Sequence, residues 1–121
     1  MGLFSTTKTK VNWLTLSKAE QLDELLVQSE ETPVLIFKHS TRCSISRFAL
    51  SDFEHDWKTD WNCECYFLDL LAYRDISNLI AERFNVVHQS PQVILIKNRE
   101  VVYHASHQSI SAEKISLHLT S

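Results

Sequence analysis

Glycine is nearly absent from this sequence: Gly2 is the only one in 121 residues. That excludes a glycine-rich phosphate loop, whose backbone must approach a nucleotide closely. Proline is scarce too, with Pro33 and Pro91 the only two, and each punctuates the chain where it stands. Cysteine numbers three, an odd count that does not suit a disulfide scaffold. No apolar run comes near the ~18 residues of a membrane span, and the opening MGLFSTTKTK lacks the apolar core of a secretory signal. Gly2 followed by Thr6 satisfies a loose myristoylation pattern, against which the polar tail weighs. The expectation is a cytoplasmic protein with no membrane partner. Basic charge is not in excess either. Twelve Lys and Arg stand against 15 Asp and Glu, net −3 with a pI near 6.0, which argues against a nucleic-acid partner.

What is present reads as one ordinary globular domain, 44% hydrophobic and 22% charged. A chain of this length buries roughly two-thirds of its unfolded surface. Residues 1–10 read as a polar N-terminal tail and 11–121 as a single domain. VNWLTL (11–16) alternates like a strand. SKAEQLDELLVQSE follows as a helix, with Ser17 and Glu20 as a capping box and Leu22, Leu25 and Leu26 on one face. Pro33 ends it, and VLIF (34–37) is a continuous apolar run of buried-strand length. A helix begins just after Cys43, with Ile45, Phe48, Ala49, Phe53 and Trp57 as its core-facing stripe. CECYFLDLL (63–71) is a second buried strand, and Ile76, Leu79, Ile80 and Phe84 mark a third helix. Pro91 opens the strand QVILI (92–96), the turn KNRE leads into VVYHA (101–105), and a short helix starts near Ser111. The order is β-α-β-α-β-α-β-β-α. Strands separated by helices run parallel while the closing hairpin is antiparallel, so the fold class is α/β, a mixed central sheet with helices on both faces.

Such sheets place their sites beyond the carboxyl ends of their strands, which is where Cys43 lies. A thiolate at a helix start is stabilised by unpaired backbone N–H groups and the positive end of the macrodipole. Lys38, Arg42 and Arg47 add positive charge nearby in sequence, as does His39 when protonated. Thiol–disulfide exchange needs a thiolate with access; a cysteine that merely fills space needs neither. The position among cations favours a reactive Cys43. Ser46 stands at the spacing of a second redox sulfur, with its hydroxyl in reach of Cys43. Cys63 and Cys65 are two apart on a strand, on one face, and read as packing residues.

These residues resemble a known family. The architecture is similar to the thioredoxin-like fold, CSIS resembles a Cys-x-x-Ser active site, and QSPQVILI resembles the cis-proline segment that faces the active cysteine there. HSTRCSIS and the run ISNLIAERFNVVHQSPQVILIKNREVVYHASH resemble the YtxJ family, the monothiol bacilliredoxins. The resemblance implies removal of bacillithiol from S-bacillithiolated proteins, with no bound cofactor and bacillithiol as co-substrate. Carried over, Cys43 attacks and Ser46 occupies the missing resolving position. Ser90 and Pro91 present backbone to an extended partner, and a second low-molecular-weight thiol completes the cycle. Arg42 and Arg47 are candidate partners for the malate carboxylates of bacillithiol, since guanidinium forks suit carboxylates. His104 and His107, in HASH, are candidates for thiol binding, in a loop that lies beside the active site in such proteins. One departure is visible: Ser44 stands where the family usually has proline after the cysteine, which removes some pre-organisation of the helix start.

Other readings stay open from the residues alone. A monothiol glutaredoxin-like protein holds an iron–sulfur cluster through one cysteine, though usually with glycine and an aromatic where this chain has Ser44 and Ile45. A metal site from Cys43 with His39, His104 or His107 lacks any zinc spacing. A cysteine hydrolase with His39 as base lacks a supporting signature. A redox-inactive protein-binding module would not require a cysteine among cations.

Overall fold

The computed structural model describes residues 11–119; the polar tail, with its Gly2 pattern, lies outside the described residues. The elements are β1 (Leu14–Thr15), α1 (Glu20–Gln28), β2 (Val34–His39), α2 (Ser44–Asp56), β3 (Glu64–Asp69), α3 (Arg74–Phe84), β4 (Gln92–Lys97), β5 (Glu100–Ser106), a 3₁₀ turn (His107–Ser109) and α4 (Ala112–Ser116). One five-stranded sheet holds them in the order β1-β3-β2-β4-β5. β3 runs parallel to β1 and β2, β4 is antiparallel to β2, and β5 to β4. The α/β class with a mixed sheet is therefore as the periodicities imply.

β2 is central, and all six of its residues are buried. Successive side chains point to opposite faces, so Val34 and Ile36 join Leu22, Leu25, Leu26, Ile76 and Ile80 under α1 and α3. Leu35 and Phe37 join Phe53, Trp57, Ala112 and Ile115 under α2 and α4. A strand buried on both faces is apolar over most of its length, which is why VLIF and VILI carry no polar alternation; Lys38, His39 and Gln92 are the buried polar residues where β2 ends and β4 begins. The scarcity of glycine is met by other residues. All four positive-φ positions among the described residues are Asn85, Asn98, Arg99 and His107. Asn85 ends α3 in the left-handed region, where asparagine substitutes for glycine. Asn98 and Arg99 make the two-residue turn between β4 and β5, which needs φ > 0 at both positions.

Three local expectations are corrected. β1 is only two residues long and pairs Leu14 with Tyr66 and Thr15 with Phe67. The Ser17–Glu20 capping box does not form: α1 starts at Glu20, behind Ala19, without a side-chain cap. Instead the Gln21 Oε1 accepts from the backbone N–H groups of Ser17 (2.7 Å) and Lys18 (2.9 Å), one residue out of the box register. The α2 stripe is also rotated from the one expected. Its inward positions are Ser46, Ala49, Leu50 and Phe53, with Trp57 closing it, while Ile45 is 51% and Phe48 72% exposed. The inward residue of the first turn is the polar Ser46, so the apolar pattern points about a third of a turn away from the core there.

Candidate active site

Cys43 is the N-cap of α2, in extended conformation (φ −106, ψ 121), half-buried and with a free thiol. Its N–H donates to the Ser40 carbonyl at 3.2 Å and its carbonyl accepts from Arg47 N–H at 3.1 Å. No side chain caps this helix and no acidic residue lies in its first turn. The sulfur is thus the side chain placed at the electropositive helix end, where developing negative charge is favoured.

Beneath the loop 40–43 lies a buried polar cluster. Ser46 is fully buried; its Oγ accepts from Ser40 N–H at 3.0 Å and bonds His39 Nδ1 at 2.8 Å. The hydroxyl therefore holds the loop and the imidazole, and its hydrogen bonds do not run to Cys43 as the sequence suggested. His39 ends β2 on the α2 face, against Phe37 and Phe67, opposite Asp69 in register. Burial lowers its pKa most; Asp69 opposes by raising it and Arg47 lowers it further. His39 thus engages Ser46 through Nδ1.

The other expected residues fall at different places. Because β4 enters and β5 leaves the sheet at the end where β2 finishes, with Lys38 opposite Gln92 and Gln92 opposite Ser106, the Pro91 and His107 positions lie at the Cys43 end. The Ser90–Pro91 bond is cis, Pro91 is buried, and its carbonyl accepts from His107 N–H at 3.0 Å. Ser90 Oγ is buried with no hydrogen-bond partner among the described residues. Arg42 is exposed. Arg47 is exposed as well, and its guanidinium donates to the Thr41 carbonyl at 3.1 Å, bracing the Cys43 loop. His104 does not follow the last strand, as expected from sequence. It lies within β5, opposite Ile94 and so on the α1 and α3 side of the sheet, and is not part of this group. Lys38 is likewise not beside the sulfur. Its alternation turns it to the α1 and α3 face, where its ammonium donates to the Ser77 carbonyl (3.2 Å) and meets His88 Nδ1 (3.3 Å). Among the described residues no three His, Cys, Asp or Glu side chains gather as a metal site.

A cavity of about 330 Å³ opens beside the sulfur's helix, lined by Ile45, Phe48, Ala49, Asp52, His107 and Ile110 among others. Of the residues that line it, His107 is a binding candidate from sequence, Ile45, Phe48 and Ala49 read there as core, and the rest are unassigned; the misplaced stripe on α2 is the available signal. Cys65 is buried and Cys63 partly so, both in the core under α2. Cys65 pairs with Leu35 in register, four residues from the end of β2, about 13 Å along the strand at 3.3 Å per residue. Neither sulfur lies at the Cys43 end.

The comparisons with known proteins agree with this geometry. A structure provisionally described as an oxidoreductase with a thioredoxin fold is 28% identical, covering 87% of this chain and 91% of its own, at a TM-score of 0.76. Reduced Schistosoma mansoni thioredoxin pre-protein is 21% identical, over 88% of this chain and 97% of its own, at a TM-score of 0.68. Malassezia sympodialis thioredoxin is 17% identical, over 94% and 93%, at 0.66. The fold is thus thioredoxin-like. A family model for the monothiol bacilliredoxin BrxC matches residues 14–115. With that match spanning the whole sheet and the lone sulfur at its active end, the chain belongs to the monothiol bacilliredoxin family and is a thiol-disulfide oxidoreductase.

Proposed function

We propose that this protein removes bacillithiol from S-bacillithiolated proteins by a one-thiol cycle through Cys43. The observation that carries the reading is the isolation of the Cys43 sulfur at the α2 N-cap, with both other cysteines toward the far end of the sheet. As thiolate, Cys43 attacks the bacillithiol sulfur of the mixed disulfide. The bond to the substrate protein breaks, its sulfur leaves as thiolate and takes a proton, and a Cys43–bacillithiol disulfide forms. The number of disulfide bonds is unchanged. A second low-molecular-weight thiol then attacks the adduct, frees Cys43 and leaves with bacillithiol as their mixed disulfide.

Ser90 and Pro91 offer backbone at the site, Arg42 and Arg47 supply charge for the malate carboxylates, and His107 borders the adjoining cavity. Ser46 belongs to this site by holding the Ser40 loop under the sulfur. A reduced cytoplasm is the compartment this cycle requires. No helix among the described residues is long and apolar enough to cross a membrane.

Intact-mass spectrometry of the reduced protein after exposure to a bacillithiolated test protein decides the matter. The expected result is one bacillithiol adduct on the wild type, release of the substrate thiol, and neither with Cys43→Ala. Rapid alkylation of Cys43 without any adduct would leave the sulfur reactive but assign it another partner.

A further inference from the structure

The 85–91 segment joins α3 to β4 and delivers Ser90 and Pro91 to the Cys43 end of the sheet. It has few apolar anchors: Val86 is buried, but Val87 is exposed. What holds the rest is a pair of buried polar side chains facing each other across the sheet. Lys38 on β2 and Gln92 on β4 are register partners on the α1 and α3 face, both buried to 1% exposure or less. Both direct their polar atoms at this segment. Gln92 Nε2 donates to the Val87 carbonyl at 3.0 Å, and Gln89 N–H donates to Gln92 Oε1 at 3.3 Å. The Lys38 ammonium bridges His88 Nδ1 and the Ser77 carbonyl, and Ser77 Oγ lies 3.3 Å from the same His88 nitrogen. The segment is therefore tied to β2, α3 and β4 at once.

The Lys38 ammonium is an unusual choice for such a role. Its partners are a carbonyl and an imidazole, not a carboxylate, and the further charge that faces His88 is Arg74 of α3, also a cation. Burying an ammonium without a counter-charge is costly, and an apolar side chain of the same length would fill the space. Holding the segment gives the cost a purpose. We infer that Lys38 is a positioning residue for exchange at Cys43: with Gln92 it anchors the 85–91 segment, and so fixes Ser90 and Pro91 where a substrate disulfide docks. The inference rests on the reading of Ser90 and Pro91 as the docking segment.

Lys38→Met keeps the length and removes the ammonium, ending the burial of a charge without a counter-charge while giving up its contacts with Ser77 and His88. Gln92→Leu is the companion variant. Three measurements are made on the full chain: transfer kinetics with a bacillithiolated test protein, alkylation of Cys43, and amide exchange of residues 86–90. The expected outcome for either variant is a KM raised about five- to tenfold with kcat within about twofold, unchanged alkylation, and amide exchange about tenfold faster in that segment alone. Unchanged KM and unchanged exchange would overturn the inference, as would a change in global stability with neither. Should the wild type itself transfer no bacillithiol, the functional reading fails; exchange at 86–90 then decides the anchoring by itself, faster in Lys38→Met if it is right and unchanged if it is wrong.

Discussion

Ser46 shows how one residue can serve a site without touching its reactive atom. It stands where a two-sulfur site would have its second thiol, yet its hydroxyl faces inward to Ser40 N–H and His39 Nδ1. A buried hydroxyl with two partners leaves two polar groups unsatisfied when it is deleted, which costs about 1–3 kcal/mol. Ser46→Ala is therefore expected to lower the unfolding free energy, read from urea titration, by that much, while Cys43 in the folded variant forms its adduct within about threefold of the wild-type rate. A rate loss beyond tenfold with stability intact would place the hydroxyl on the sulfur instead. Cys43 and the serine spacing were legible in the sequence because a strand end followed by a helix start is a pattern of residue types. The direction of the Ser46 hydroxyl was not, because it depends on His39, seven residues away on another element. Lys38 misled for a related reason: closeness in sequence suggested closeness to the sulfur, but alternation along β2 sends it through the sheet to Ser77 and His88.

Among the elements, α2 departs most from its sequence reading, and the departure has a consequence for specificity. Its apolar residues at 45 and 48 match helical spacing with Phe53, yet the inward direction in the first turn belongs to Ser46. Ile45 and Phe48 instead face the 107–110 stretch across the cavity along α2. Exposed side chains contribute little to folding, so Phe48→Ala is expected to change stability by no more than about 0.5 kcal/mol. The effect belongs to recognition: transfer from a bacillithiolated protein should slow several-fold, while exchange with a small bacillithiol disulfide stays near wild type. Equal slowing of both substrates would place Phe48 at the sulfur, and no slowing of either would remove it from the site. Strands β2 and β4 were legible because burial on both faces demands unbroken apolar runs. The 3₁₀ turn at His107 was not, since a positive φ at a histidine carries no composition signal.

For the molecule as a whole, the buried and half-buried ionisable groups are divided between the two faces of one sheet and give stability a characteristic pH dependence. His39 on the α2 face and His88 on the α3 face both have pKa values lowered, chiefly by burial. An unfolded chain protonates its histidines near pH 6.5, so it binds more protons than the folded one below that value, and stability falls as pH drops through about 6.5. The alkaline side holds two opposed contributions. Burial lowers Lys38 to about 8; between that value and the unfolded lysine value the unfolded chain holds the extra proton, and stability rises with pH. Cys65 has its pKa raised, first by its hydrogen bond with Cys63 and then by burial. Above the ordinary thiol value the folded chain keeps a proton that the unfolded one has lost, so stability falls with pH; Tyr66, raised mainly by burial, adds to this fall above about pH 10. Urea unfolding from pH 5.5 to 10 separates these contributions. Lys38→Met should lose stability more steeply than the wild type above pH 8, and Cys65→Ala less steeply; the acid side should be unchanged in Cys65→Ala and shallower in Lys38→Met, because the Lys38 charge helps to hold the His88 pKa down. Curves that ran parallel above pH 8 would mean that neither group keeps its buried environment in the folded state. For Lys38 that result would also remove the reason to regard its ammonium as the anchor of the segment that carries Pro91.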